Sequence, residues 1–153
     1  MKIRGAELED LAAVCTCCVE AFKDYITLIG RIPGPMLEDY GRAMEEGFLF
    51  VAEEDGRILG FLLIKEGEGG FMWMDILATQ PRGRGVGTVL MDFCEDFIRC
   101  RGSSECRLYT NVKFDRTREI YLHRGYEIYD RVQEYGFDRY YMRKALDGVP
   151  CKS

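Results

Sequence analysis

The stretch "QPRGRGVG", Gln80 to Gly87, sets three glycines and two arginines within residues 82–87. A strand-like run, "FMWMDILAT" (71–79), leads into it. Apolar positions at helical spacing follow at once: Val86, Val89, Leu90, Phe93 and Phe97, up to a stop near Gly102. Glycine lets backbone N–H groups approach a ligand closely, and arginine adds positive charge. A helix starting there contributes unsatisfied amides and the positive end of its dipole. Strand, glycine loop and helix therefore predict an anion site of the kind that holds phosphates. A Walker A loop is excluded, because no lysine follows Gly87. The dinucleotide fingerprint fits poorly: the spacing is G-x-G-x-G, after an antiparallel meander rather than at the opening of a parallel sheet.

The meander is read from the segment before the loop. "FLFVAEE" (48–54) and "RILGFLLIK" (57–65) are strand-like runs joined by Asp55-Gly56, a favoured hairpin dipeptide. Upstream, Lys2–Arg4 reads as a short strand and residues 7–22 as an amphipathic helix. "IPGPM" (32–36) breaks the chain, and Pro35 is placed to start a second helix with Met36, Leu37, Tyr40 and Met44 on one side, stopped by Gly47. Downstream, "CRLYTN" (106–111) is a strand. Asp115 is expected to cap a helix that ends at Gly125. "YEIYDRV" (126–132) and "FDRYYMRK" (137–144) close the chain as a hairpin. No repeat or linker interrupts it, so residues 1–153 are expected to form one α/β domain.

The 153 residues are 47% apolar and 31% charged, ordinary for a soluble globular protein. A net charge of −5 argues against nucleic acid as the partner and suits a cationic one. No apolar run approaches a membrane span, and the N-terminus lacks the apolar core of an export signal, so neither membrane attachment nor export is expected. Seven cysteines without a regular framework point to a reducing, cytoplasmic setting. Cys15 and Cys18 form a C-x-x-C, but they share helical spacing with Leu8, Leu11, Ala12, Val19 and Phe22, so core packing is expected rather than a redox or metal role. His123 is the only histidine, which leaves little for a histidine-based metal site or a Ser-His-Asp triad.

At this point the chain resembles the GNAT superfamily of acetyl-CoA-dependent N-acetyltransferases. Its pyrophosphate loop, [RQ]-x-x-G-x-G/A, is matched by Arg82, Gly85 and Gly87, with Gly83 and Arg84 between. A second motif, Tyr-x-x-x-Gly-[FY], is matched by Tyr121, Gly125 and Tyr126. The likeness extends over essentially the whole chain. It implies a mixed, mostly antiparallel sheet of six to seven strands, about four flanking helices, and splayed fourth and fifth strands.

The resemblance also implies a site. Acetyl-CoA, as co-substrate and without a metal, would lie where those two strands part. Backbone groups of Leu77, Ala78 and Thr79 would meet its pantetheine amides, and Arg82, Gly83, Arg84, Gly85, Val86, Gly87 and Thr88 its pyrophosphate. Pro81 stands directly against Arg82, which leaves two alignments open. Either Leu77 carries the backbone contact to the reacting carbonyl, or a loop two residues short shifts that role to Thr79. Relatives often have an asparagine where Phe114 stands; Asn111, just upstream, is the substitute considered for that contact.

Tyr121 matches the family's general acid, which gives a proton to the departing thiolate; a phenol of pKa roughly 10 suits that leaving group. The plainer reading is a buried helix tyrosine. Asp75 is the candidate base, against the plainer reading of a solvent-facing edge residue; Glu53 and Glu54 read as hairpin solvation. Alternation puts Trp73 and Asp75 on one face of their strand and Met72 and Met74 on the other. Glu38 and Asp39, beside Tyr25 and Tyr40, offer a negative, aromatic surface for a protonated amine, or simply the acidic start of a helix. The activity expected is acetyl transfer to a primary amine of a small molecule or peptide. A non-catalytic acyl-CoA sensor or docking module is the alternative. The aromatic-rich terminal hairpin predicts a homodimer.

Overall fold

Asp55 and Gly56 both take positive φ, 52° and 77°, as a two-residue hairpin turn of the correct twist requires. They join β2 (Leu49–Glu54) to β3 (Arg57–Glu66), paired antiparallel from Glu54↔Arg57 to Leu49↔Leu63 with an irregularity at Ala52/Glu53. The structure, a computed structural model, describes residues 1–80 and 85–146. β1 (Lys2–Gly5) lies antiparallel to β2. β4 (Phe71–Thr79) and β5 (Glu105–Asn111) form a parallel pair. β6 (Glu127–Glu134) and β7 (Phe137–Ala145) form the closing hairpin, and β7 returns antiparallel beside β5. The seven-stranded order is β1-β2-β3-β4-β5-β7-β6, a mixed sheet as expected.

The helices depart from expectation in informative ways. Residues 7–22 hold a 3-10 turn, Leu8–Asp10, and then α1 (Leu11–Phe22). Its buried stripe is Val14, Cys17, Cys18 and Ala21, at i, i+3, i+4 and i+7. Cys18 packs as predicted, but Cys15, Leu8 and Val19 are exposed, because the helix is rotated to bury Val14 and Cys17 instead. A short α2 (Tyr25–Ile29), not foreseen, ends at Gly30. Pro35 opens only a 3-10 turn, Gly34–Leu37; the helix proper, α3 (Tyr40–Glu45), starts at Asp39, whose carboxylate accepts from Arg42 N at 3.0 Å. α4 (Val86–Cys100) and α5 (Asp115–His123) lie where expected. Asp115 is not the cap of α5, since Phe114 holds that position; its carboxylate accepts instead from Arg118 at 2.7 Å. Five α-helices are described against about four expected.

The chain divides into two units, residues 1–65 with 76–94, and residues 66–75 with the described residues from 95 onward. In the first, Val14, Cys17, Cys18, Tyr40, Leu49, Val51, Phe61, Leu63, Ile76 and Ala78 share one core cluster. Gly60 on β3 is placed so that a Cβ would stand 2.7 Å from Ala78 O, 3.1 Å from Val86 Cγ1 and 3.2 Å from Leu90 Cδ1, so only glycine lets α4 and β4 sit this near. In the second, Ile98, Cys106, Leu108, Tyr126 and Met142 are buried.

Cys15, Cys17, Cys18, Cys94 and Cys106 are free thiols, whereas Cys100 is disulfide-bonded, which the reading of a reduced chain did not anticipate. Among the described residues, no helix is long and apolar enough to cross a membrane.

Candidate active site

In the first unit, β4 runs into the predicted loop. Pro81, Arg82, Gly83 and Arg84 lie outside the described residues. Gly85 takes φ 77° and accepts Val89 N at 3.3 Å, closing the first turn of α4. Helix geometry then leaves the amides of Val86, Gly87 and Thr88 without an intrahelical acceptor. Val86 is buried, Gly87 half-buried and Thr88 exposed. A Cβ at Gly87 would stand 3.9 Å from both Leu77 Cδ2 and Thr79 Cγ2. The start of α4 and the end of β4 are thus brought together, as predicted for 77–79 and 85–88. A bare Cα at the second helical position, first-turn amides without an intrahelical acceptor and a 15-residue helix behind them fit an anionic group.

Alternation on β4 holds through its length. Met72, Met74, Ile76 and Ala78 are buried, while Phe71, Trp73, Asp75, Leu77 and Thr79 are half-buried on the other face. The ladder between β4 and β5 covers Phe71↔Glu105, Met72↔Cys106 and Trp73↔Arg107; β4 itself runs on to Thr79 and β5 to Asn111. Where that ladder ends, in the second unit, Asp75 accepts a hydrogen bond from the Tyr109 hydroxyl at 3.0 Å. Burial, and then the charge of Asp75, raises the Tyr109 pKa, so the phenol stays a donor to the carboxylate. Asp75 is therefore a structured side chain rather than a solvated edge residue. Tyr109 was missed from sequence, although its odd position in "CRLYTN" placed it on one face with Arg107.

Tyr121, on α5, is half-buried, its ring 5.8 Å from that of Tyr126 in an edge contact. Its carbonyl accepts from Arg124 N and Tyr126 N, each at 3.1 Å. Tyr126 is fixed in turn by Glu95 of α4, a carboxylate 3% exposed. Glu95 accepts from Tyr126 Oη at 2.9 Å, Arg124 Nε at 2.8 Å and Lys144 Nζ at 2.9 Å. Burial alone would raise its pKa, but those three donors outweigh burial and hold it below the usual value. A lone glutamate in an amphipathic helix gave no signal of this role.

Other residues singled out from the sequence make structural contacts. Asn111 Oδ1 accepts from Lys113 N at 3.0 Å, shaping the turn before α5. Glu53 is not free hairpin solvation: with Asp10 it holds the Arg4 guanidinium, at 2.7 Å each. Glu38 pairs with Lys65 at 2.9 Å, and Asp39 caps α3. Tyr40 is buried in the core, its hydroxyl donating to Pro35 O at 2.6 Å, so it offers no surface to an acceptor. Among the described residues, no group of three or more His, Cys, Asp or Glu side chains is placed to hold a metal ion.

Residues 15–126 match the family model described as the acetyltransferase (GNAT) family. The chain belongs to the GNAT family. A search of curated proteins finds no match. Among solved structures, the chain is similar to the PaiA N-acetyltransferase of Thermoplasma acidophilum in complex with coenzyme A, at TM-score 0.74 and 20% identity over 94% of this chain and 98% of that one. It is similar to Ard1 of Thermoplasma volcanium at TM-score 0.74 and 20% identity, over 95% and 97% of the two chains. Naa20 of Chaetomium thermophilum in complex with a bisubstrate analogue matches at TM-score 0.74 and 18% identity, over 95% and 87%. At these identities the likeness establishes the fold.

The Glu95 cluster generates a prediction within this GNAT chain. A carboxyl whose folded pKa is depressed contributes stability above its unfolded pKa and loses it as pH falls through the folded value. Glu95→Ala should cost about 3 kcal/mol near neutrality, by leaving the half-buried Arg124 and Lys144 cations uncompensated. The penalty should shrink as the pH is taken below about 4.5, the unperturbed carboxylate value. Urea unfolding of both proteins across that range checks it; a penalty independent of pH would show that the cluster is not held by ionised Glu95.

Proposed function

We propose that the protein transfers an acetyl group from acetyl-CoA to a primary amine of a small molecule or peptide. The observation that carries this reading is the start of α4 set against the end of β4, with Gly87 bare between Leu77 and Thr79, in a member of the GNAT family. Acetyl-CoA supplies the activated thioester when bound. The amides of Val86, Gly87 and Thr88 hold the pyrophosphate, and Arg82 and Arg84 with Gly83 and Gly85 complete that loop. Backbone groups of Leu77, Ala78 and Thr79 align the pantetheine arm, and an N–H of Leu77 or Thr79 steadies the oxyanion. Asn111 is assigned a supporting place beside the cofactor.

Asp75, oriented by the Tyr109 hydroxyl, accepts the proton that the attacking ammonium must lose, directly or through one water. Tyr121 donates its phenolic proton to the thiolate that leaves. The α5 to β6 connection, pinned by Glu95 through Arg124 and Tyr126, keeps Tyr121 in one orientation. The five free thiols among the described residues favour a cytoplasmic setting, against the one disulfide at Cys100. Homodimer pairing is proposed at β6, an edge strand carrying Ile128 at 41% exposure beside a turn with Tyr135 at 84%. Sedimentation at high micromolar concentration should give twice the chain mass, and a monomer there removes that assignment.

Thiol release from acetyl-CoA over a panel of primary amines tests the central reading. Turnover with at least one amine is expected; coenzyme A binding without turnover on any acceptor would favour an acyl-CoA sensor or docking module. Tyr121→Phe should lower kcat by about 10²–10⁴-fold with little change in KM for acetyl-CoA, as for loss of a general acid. Gly87→Glu sets a bulky anion against the pyrophosphate amides and should weaken coenzyme A binding at least tenfold, about 1.4 kcal/mol or more, by calorimetry. Unchanged affinity in a folded variant would show that the loop assignment is wrong.

A further inference from the structure

In the first unit, three thiols fall within one turn of α1, and the fold treats them differently. Cys15 is exposed, whereas Cys17 and Cys18 are 4% and 2% exposed. The Cys18 thiol donates to Pro35 O at 3.3 Å and lies 3.5 Å from Tyr40 Oη, which itself donates to Pro35 O at 2.6 Å. Through Cys18, α1 thus holds the 3-10 turn Gly34–Leu37. Burial pushes the Cys17 thiol up to about 12, so it stays protonated and unreactive. Burial first, and the nearness of Cys15 after it, push the Cys18 thiol up as well.

Helix geometry decides which two can join. A rise of about 1.5 Å and a radius of about 2.3 Å put Cα atoms three residues apart at about 5 Å, one above the other. A disulfide spans Cα separations of roughly 4.4–6.8 Å, so Cys15 and Cys18 are within reach. Residues one or two apart do not face each other on a helix, which sets Cys17 aside as a partner for either. At this spacing the Cβ atoms stand about 5–6 Å apart, against about 3.8 Å in a relaxed disulfide. Closing the bond therefore strains the helix, and a strained disulfide is readily reduced.

We propose that Cys15 and Cys18 are a reversible peroxide-oxidation site, Cys15 being oxidised first and Cys18 resolving it. The Cys15 thiolate attacks one oxygen of hydrogen peroxide, the O–O bond breaks, and Cys15 becomes a sulfenic acid. The departing hydroxide takes up the proton that Cys15 had released. The Cys18 sulfur then forms the S–S bond, and the sulfenic hydroxyl leaves as water with the Cys18 proton. Two thiols are oxidised to one disulfide, and one peroxide is reduced to two waters. The bond removes the donor that Cys18 gives to Pro35 O, so oxidation loosens the hold of α1 on the turn. None of the residues proposed for acetyl transfer takes part.

Trypsin releases Cys15, Cys17 and Cys18 on one peptide, residues 5–23. The full chain, freed of reductant, is treated with hydrogen peroxide, unfolded, alkylated with N-ethylmaleimide and digested. The peptide is expected to lose two hydrogens and to carry a single label, on Cys17; dithiothreitol before alkylation restores labels on all three. Cys15→Ser and Cys18→Ser should each abolish the product, and Cys17→Ala should keep it. Cys15 is exposed, so Cys15→Ser decides the matter even if Cys18→Ser fails to fold. In the oxidised chain the amide of Met36, which donates to Pro33 O at 3.0 Å, should exchange about tenfold faster. Unchanged labelling after peroxide, a Cys15 sulfinic acid, a bond to Cys17 or a bond between two copies each overturns the pairing. A Cys15–Cys18 bond with unchanged exchange at Met36 overturns its effect on the turn.

Discussion

The buried carboxylate of Glu95 is the interaction on which the second unit depends. One side chain of α4 collects donors from the end of α5 (Arg124), the start of the next strand (Tyr126) and β7 (Lys144). α4, the α5 to β6 connection and β7 thus share one ion cluster. Burying a carboxylate is unfavourable unless its lone pairs are filled, and here three donors fill them. The consequence reaches Tyr121, which packs on Tyr126 and whose carbonyl accepts from the two residues that flank Gly125. The tyrosine proposed to deliver the proton is thus held from behind by its backbone carbonyl and its ring contact.

β4 carries two kinds of work along one strand. Its even residues are core throughout, from Met72 to Ala78. Its odd residues change character along the strand: Phe71 and Trp73 meet in an edge contact of their rings, Asp75 meets Tyr109, and Leu77 and Thr79 border the start of α4. Strict alternation allows this, since one face can be committed to packing while the other is free to vary. It also explains an aspartate in a strand of poor aspartate propensity: the Tyr109 phenol offsets part of what the carboxylate loses in burial.

Elements with a strong period or an unambiguous turn were legible from the residues alone. The run 71–79 became β4 without change of boundary, Asp55-Gly56 took the two positive φ values that its dipeptide implies, and the loop with its helix marked the family before any contact was known. The early helices were less legible, because several phases of the apolar pattern compete there. Val14 and Cys17 won the core of α1 over Cys15 and Val19, a choice made by the strands beneath rather than by the helix itself. Asp39 rather than Pro35 started α3, since a side-chain cap at 3.0 Å satisfies an amide that proline leaves exposed.

What the sequence determined by itself was local and periodic: the strand and turn order, the glycine loop before α4, and the Tyr-x-x-x-Gly-Tyr segment. Those depend on backbone conformation and on spacing within a few residues, which the chain states directly. Tertiary structure alone decided which distant polar groups meet. Glu95 with Arg124 and Lys144, Tyr109 with Asp75, and Trp73 among Tyr109 and Tyr141 are pairings across 29, 49, 34 and more residues that no local pattern encodes. Their partners are fixed by strand order and register, and these are set by the packing of the whole chain.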